Sequence, residues 1–373
     1  MERIQKNLIL KDLEKKIVLL VGPRQSGKTW LAKNIADSFK SSIYLNYDQV
    51  QDRDIMYAQS WLPNTDLLIL DELHKMNGWK NYLKGIYDTK PKSMRILVTD
   101  SARLDIYDQL GDSLAGRYFR HRLLPFSLAE LSQLSEPIDF ERLQIRSGFP
   151  EPYLVENDIE ADRWRLQYIS SLLSTDIFEF EQIFNLKAMQ LIFNLLRTRV
   201  GSPISYQSLA EDVAISPTTV KKYIQILEAL FVVFRVTPYS KNIARSLLKE
   251  SKLYFFDTGL VIGDEGAKLE NLVAVSLLKH AYALTDYQAK EYSLHYLRTK
   301  DGIEVDFALV LNNQVESIIE VKLSDVVPSN SLHYFKEKYN YRSIQLVKFL
   351  KYEHQKDHIE ILDVGKFLAH LYL

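Results

Sequence analysis

Over its first third the chain alternates between short unbroken apolar runs and longer stretches in which apolar residues recur at helical spacing. Ile17–Val21 has no polar position, so both faces of that strand need covering, as in a parallel sheet between helices. Leu31, Ile35 and Ala36 follow on one helical face, and 42–48, 66–72, 95–101 and 118–124 are further strand-like runs. The alternation predicts an α/β fold with a parallel sheet over residues 1–125. Beyond it the spacing turns helical. Residues 126–134 read as one helix, Gly148-Phe149-Pro150-Glu151-Pro152 breaks the chain, and 159–199 carries an apolar stripe that includes Leu166, Ile169, Leu172 and Leu173. Residues 126–200 are therefore read as a helical linker region. Ser205 then caps a helix over 205–214, Ile215-Ser216-Pro217 turns the chain, and a second helix covers 218–227 before the strand-like 231–236. That order predicts a winged helix-turn-helix over 201–250. In 251–373 two alternating runs, 303–311 and 315–323, flank Asn312-Asn313-Gln314 and predict a β-hairpin.

Composition narrows the function classes. The 373 residues, 46% of them hydrophobic, are enough for more than one core. A net charge of −1 excludes a chain that is basic throughout, so nucleic-acid contact has to come from local patches. The absence of cysteine excludes disulfides, thiolate zinc sites, iron–sulfur clusters and cysteine nucleophiles together. Residues 1–16 are charged throughout, and no run approaches the roughly 18 apolar residues of a membrane span. A cytoplasmic protein with no membrane partner is expected.

Chemistry enters directly after the first strand. Gly22-Pro23-Arg24-Gln25-Ser26-Gly27-Lys28-Thr29 fits the P-loop pattern at every fixed position. Its two glycines let the backbone aim several N–H groups at one phosphate chain, and the helix opening near Lys28 adds its positive dipole end. Lys28 is the candidate for the β- and γ-phosphates of ATP and Thr29 for a ligand of Mg²⁺. About 40 residues on, Leu67-Leu68-Ile69-Leu70-Asp71-Glu72 has the form of a Walker B strand, in which Asp71 holds the metal's water shell and Glu72 deprotonates the attacking water. The strand 95–101 ends in Thr99-Asp100-Ser101, and Thr99 and Ser101 are candidates to sense the γ-phosphate or the lytic water. Arg117, before the next strand, is either an arginine finger for a neighbouring subunit of a homo-oligomeric ring or one half of a surface salt bridge.

Two further constellations lie downstream. On the second helix of the helix-turn-helix, Thr218, Thr219, Lys221 and Lys222 are placed to meet DNA. From 203 to 249 six basic residues (Lys221, Lys222, Arg235, Lys241, Arg245, Lys249) face three acids (Glu211, Asp212, Glu228). That excess also suits a protein-packing module. In the hairpin, a turn centred on Asn313 sets Asp306 opposite Glu320 and Glu304 opposite Lys322 on one face, leaving Val305, Phe307, Leu309, Ile319 and Val321 on the other. Three acids and a lysine so close together either sit in water or bind a divalent cation.

In GPRQSGKT, LLILDELHK with Trp79 and Leu83-Lys84 behind it, TDSAR, SLAGRYFRHRLLPFSLAEL and GFPEPYL, the chain resembles bacterial and archaeal AAA+ ATPases that carry a C-terminal domain related to restriction endonucleases. The resemblance covers nearly the whole chain. It implies an AAA+ core with Lys28, Thr29, Asp71, Glu72 and Arg117 in the roles above, a helical lid over 126–200, and a restriction-endonuclease-like α/β domain over 251–373. For the hairpin it implies a D…E-x-K constellation in which Asp306 and Glu320, with Glu270 as an additional acid, hold Mg²⁺ and Lys322 positions or activates the attacking water. One departure stands out, because the family usually has Thr-Gly-Ser where this chain has Thr99-Asp100-Ser101. A carboxylate beside the γ-phosphate is repulsive, so Asp100 is expected to point away or hydrolysis to be slow. The expected function is ATP hydrolysis coupled to work on DNA. The alternative is a nucleotide-dependent assembly switch whose nuclease fold is inert.

Overall fold

The computed structural model describes residues 3–101, 114–133, 139–173, 185–240 and 250–373. Lys241, Arg245 and Lys249, counted in the basic excess, and Ser113, ahead of Arg117, lie outside the described residues. The chain divides into two compact units, Met1–Leu124 with Ala229–Phe231, and Pro125–Glu228 with Val232–Leu373.

The first unit is built on strands β1 (Ile17–Val21), β2 (Ser42–Asn46), β3 (Leu67–Asp71), β4 (Arg95–Asp100) and β5 (Tyr118–Arg122). They stand in the order β2-β3-β4-β1-β5 with every neighbouring pair parallel. Alternate residues sort to opposite faces. Leu19, Leu68, Leu70, Ile96 and Val98 pack with Met56, Trp79 and Leu83, which come from helices Val50–Ala58 and Trp79–Thr89. Val18, Leu20, Leu67, Ile69 and Leu97 pack with Ile9, Leu13, Leu31 and Ile35 from helices Gln5–Leu13 and Lys28–Ala36. Two buried faces are what an unbroken apolar run requires, each such side chain contributing about 1.5–3 kcal/mol on burial. The strand order also makes the site. With β4 between β1 and β3, Val21 lies opposite Asp100 and Asp71 opposite Thr99, so the P-loop and the Walker B carboxylates meet over one strand end.

In the second unit, helix Asp158–Ser171 differs from the predicted stripe, because Leu166 is 69% exposed and the buried face is Ala161, Trp164, Arg165 and Tyr168. Two aromatic rings four residues apart, Trp164 and Tyr168, stack at 5.0 Å between centroids and Phe149 packs on both. Leu172 and Leu173 are buried as expected. Helices Tyr206–Val213 and Pro217–Ala229 lie in the chain between the first and second strands of a nine-stranded mixed sheet. Its strands are β6 (Pro203–Ile204), β7 (Val233–Pro238), β8 (Ser251–Phe255), β9 (Tyr292–Arg298), β10 (Glu304–Leu311), β11 (Gln314–Lys322), β12 (Arg342–Val347), β13 (His354–Lys356) and β14 (Ile359–Asp363). The spatial order is β13-β14-β12-β11-β10-β9-β7-β8-β6, so the antiparallel β7–β8 pair that follows these two helices continues edge to edge into the C-terminal strands. In the β10–β11 hairpin Phe307 faces Ile319 and Ala308 faces Ile318, the register of a turn centred on Asn313. A bulge between Leu309 and Val310 then shifts it by one. The shift closes a two-residue turn in which Asn312 and Asn313 have φ of 48° and 62°, values asparagine tolerates.

Candidate functional site

The P-loop is held by close backbone contact. A Cβ on Gly22 would lie 2.2 Å from the Leu123 carbonyl oxygen, so the first turn admits only glycine. Gln25 and Gly27 take φ of 60° and 94°, and Gly27 caps helix Lys28–Ala36. Arg3, 2% exposed, braces the loop by donating to the Ser26 carbonyl at 3.0 Å and to the Leu124 carbonyl at 2.7 Å. Lys28 folds back over the loop, donating to the carbonyls of Gly22 at 2.9 Å and Pro23 at 2.7 Å. Burial lowers its pKa to about 8 against the pull of Glu72, Asp100 and Asp71. The Ser26 hydroxyl is buried without a hydrogen-bond partner. A buried cation and an orphaned hydroxyl inside a cradle of this shape fit a polyphosphate.

Asp71 sits opposite, 5% exposed. Its Oδ2 accepts from the Tyr44 hydroxyl and from Thr29 Oγ1 at 3.5 Å, and its Oδ1 accepts from Thr99 Oγ1 and from the Glu72 N–H at 3.1 Å. The Thr29–Asp71 pair fits the Mg²⁺ position of a P-loop enzyme. Thr99 is fully buried and turned onto Asp71, while Ser101 donates to Glu72 Oε2 at 3.2 Å. Glu72 has φ of 53°, a left-handed conformation that breaks the strand beneath the loop. Burial, reinforced by the neighbouring Asp100, raises its carboxyl above the ordinary range, which favours proton uptake.

Two residues in this site escaped sequence reasoning. His74 Nδ1 lies 2.8 Å from Asp100 Oδ2 and 3.7 Å from Glu72 Oε2. Burial works against its charge, but Asp100 and Glu72 outweigh that and raise its pKa. Among the described residues, Glu72, His74 and Asp100 bring three potential metal-ligand atoms within 4.8 Å of one another. Asp100 therefore has a local partner in place of naked repulsion. The other missed residue is Tyr44, whose signal was only its place in β2, the neighbour of the Walker B strand.

Arg117 is at the far end of the sheet. Its carbonyl accepts from Ile17 at the start of β1, whereas the P-loop follows Val21, about 13 Å or more along the strand. Its guanidinium pairs with Asp88 at 3.1 Å on a part-exposed surface. Such a pair is worth roughly 0–1 kcal/mol and yields readily to a new partner.

In the second unit, Thr218, Lys221 and Lys222 are exposed and Thr219 is half-buried, its hydroxyl 2.8 Å from Ser216 in the helix cap. The hairpin acids meet an unforeseen cation. Lys252 of β8, 2% exposed, lies 2.8 Å from Glu304 and 3.7 Å from both Glu270 and Asp306. Glu304 thus pairs with Lys252 and Arg298, and Lys322 pairs instead with Glu320 at 2.9 Å. Glu304, expected opposite Lys322, is instead paired with the buried lysine of β8, a strand separated from β10 by β9 and β7 in the sheet. Asp306 accepts from the Val321 N–H at 2.9 Å and Glu270 from the Tyr254 hydroxyl at 2.7 Å. Burial, then the proximity of Asp306, raises both Glu270 and Glu320 to about 7, and Glu320 Oε2 is buried without a partner. Lys252 already offsets part of the charge, and among the described residues Glu270, Asp306 and Glu320 do not bring three ligand atoms within the 4.8 Å that Glu72, His74 and Asp100 reach, so the metal set expected of the hairpin is not assembled.

Residues 14–132 match the family described as AAA domain, and 138–266 and 265–365 match two families described as domains of unknown function, DUF8612 and DUF4143. The chain is similar to an uncharacterized protein of Mycobacterium tuberculosis, at 26% identity over 80% of this chain and 68% of that one. It is also similar to an uncharacterized protein of Haemophilus influenzae, at 23% identity over 94% of each. Among solved structures it resembles the Walker-type ATPase of Pyrococcus abyssi, with a TM-score of 0.46 and 13% identity over 69% of this chain and 93% of that one. The first unit is a P-loop domain of the AAA type, on an α/β fold with a parallel sheet. Among the described residues no helix is long and apolar enough to cross a membrane.

Proposed function

We propose that this protein is an AAA+ ATPase that binds and hydrolyses ATP with Mg²⁺ and works on DNA. The observation that carries the reading is the convergence over β4 of Lys28, Thr29, Asp71 and Glu72, a phosphate cation, a metal-ligand pair and a general base on one strand edge. Gly22, Pro23, Arg24, Gln25, Ser26 and Gly27 wrap the phosphates, Lys28 leaves its two carbonyls for the β- and γ-oxygens, and Thr29 and Asp71 hold the metal. Mg²⁺ held by that pair would supply charge neutralisation on the transferring phosphoryl group. Glu72, oriented by Ser101, takes the proton of the attacking water, and Thr99 positions Asp71 rather than touching the substrate. His74 holds Asp100 so that its charge does not face the γ-phosphate. Arg117, too far from its own P-loop, acts on that of a neighbouring subunit in a homo-oligomeric ring.

In this reading 1–125 is the ATPase core, 126–200 the lid, 201–250 a winged helix meeting DNA through Thr218, Thr219, Lys221 and Lys222, and 251–373 a restriction-endonuclease-like domain. Its metal set would be Glu270, Asp306 and Glu320, with Lys322 beside the attacking water. Lys252 favours a second reading, in which a buried lysine among the acids leaves the fold inert and the ATP state sets assembly. ATP turnover with and without duplex DNA separates the two. DNA work predicts stimulation that Lys221→Ala/Lys222→Ala removes, and turnover indifferent to DNA would contradict it.

A further inference from the structure

The second unit carries a groove that none of these roles uses. Two adjoining cavities, of about 610 and 520 Å³, share Tyr239, Ser240 and Tyr341 and run from helix Asn330–Tyr339 to the Asn312-Asn313 turn. The wall is aromatic. Tyr339 and Tyr341 are nearly parallel, 11° apart with centroids at 5.3 Å, and Tyr339 is 47% exposed. Lys338 Nζ sits 5.0 Å from the Tyr334 ring and 5.4 Å from the Tyr339 ring, holding a positive charge at the rim of the stack. Lys300 adds a second exposed cation against the single acid Asp301, since the Arg298 guanidinium is paired with Glu304. Tyr339 also stacks on Phe335, at 6.0 Å between centroids, and Lys338 donates to the Tyr334 hydroxyl at 2.7 Å, so the part of Tyr339 left exposed lies at the end of an aromatic row edged by lysine.

We infer that this groove binds a single-stranded polynucleotide, with bases stacking on Tyr339 and Tyr341 and phosphates meeting Lys338 and Lys300. Stacking accepts any base because every base has a π-face, and a cationic rim selects a polyanion over the proline-rich peptides that also dock on tyrosine grooves. The groove begins at Tyr239, the residue after β7. The inference rests on the DNA reading but is separately testable, because the residues proposed to meet a duplex lie on helix Pro217–Ala229.

The test is fluorescence anisotropy on the full chain with labelled oligo-dT, oligo-U and duplex DNA of about fifteen nucleotides, a length within the usual single-strand site size. The wild type should bind at least one single strand, with affinity falling as salt rises. Tyr339→Ala/Tyr341→Ala should weaken single-strand binding about tenfold or more, whereas Tyr339→Phe/Tyr341→Phe, which keeps the rings, should stay near wild type. Lys338→Glu should weaken it and flatten the salt dependence. The oligo-dT and oligo-U arms say which sugar is accepted, and duplex affinity should be unmoved by the groove variants. No single-strand binding by wild type at low salt overturns the inference, as does binding unaffected by the alanine pair, or displacement of the oligonucleotide by a proline-rich peptide. Loss of duplex binding in Lys221→Ala/Lys222→Ala with single-strand binding intact would fail neither claim. Absence of duplex binding in wild type would remove the winged-helix reading alone.

Discussion

Gly22 and Lys28 show how single residues set the site. Gly22→Ala would drive a methyl into the Leu123 carbonyl, and the loop has to shift to relieve it. A calorimetric titration should show ATP affinity reduced by about tenfold or more, near 1.4 kcal/mol, with the second unit's helical and strand signals intact. Lys28, lowered to about 8 by burial, is only partly charged at mildly alkaline pH. A neutral amine cannot pair with phosphate, so nucleotide affinity should fall between pH 7 and pH 9, and a flat profile would contradict a lowered Lys28 pKa. The P-loop residues were legible because a glycine at fixed spacing is a backbone requirement written in residue type. His74 and Tyr44 were not, since His74 reaches Asp100 of β4 from the turn after β3 and Tyr44 reaches Asp71 from the middle of β2, and strand order is a long-range property that a local pattern does not encode.

The hairpin shows what an element's own pattern can and cannot reveal. Its register followed from alternation and the Asn-Asn turn, and Phe307 meets Ile319 as the pattern requires. Lys252 was invisible, because β8 reaches the acids only through the order of nine strands. Its consequence is a pH effect with a definite sign. Burial, then the nearby Asp306, raises Glu270 and Glu320 from an ordinary value of 4.5 to about 7 in the folded state, so the native state binds more protons between those limits. Stability from this cluster is therefore fully present below pH 4.5 and is lost as pH rises through 7. Melting of the second unit should shift upward from pH 8 to pH 6, and Glu270→Gln/Glu320→Gln should flatten that slope. Saturating Mg²⁺ or Mn²⁺ should raise the pH 8 melting temperature if the acids hold metal. If nicking of DNA accompanies that binding, Glu320→Ala and Lys322→Ala should each abolish it while ATP hydrolysis persists.

At the scale of the whole molecule the account requires subunits to act on each other. Arg117 stands at the opposite sheet end from its own P-loop, tied to Asp88 by a weak pair. Arg117→Ala should leave ATP affinity nearly intact and lower turnover by a factor of order 10³, and mixing it with Lys28→Ala subunits should restore part of the rate. No recovery at any mixing ratio would assign Arg117 to the surface pair alone. Sequence placed Arg117 before a strand but left finger and salt bridge open, since only the parallel β1–β5 register says which sheet end it occupies. The central claim, that one strand edge joins phosphate binding to water activation, has a direct measurement in ATP binding and single-turnover hydrolysis by Lys28→Ala and Glu72→Gln side by side. The account predicts that Lys28→Ala loses ATP binding, whereas Glu72→Gln binds ATP with near wild-type affinity and does not hydrolyse it. Wild-type turnover by Glu72→Gln, or undiminished ATP binding by Lys28→Ala, would contradict it.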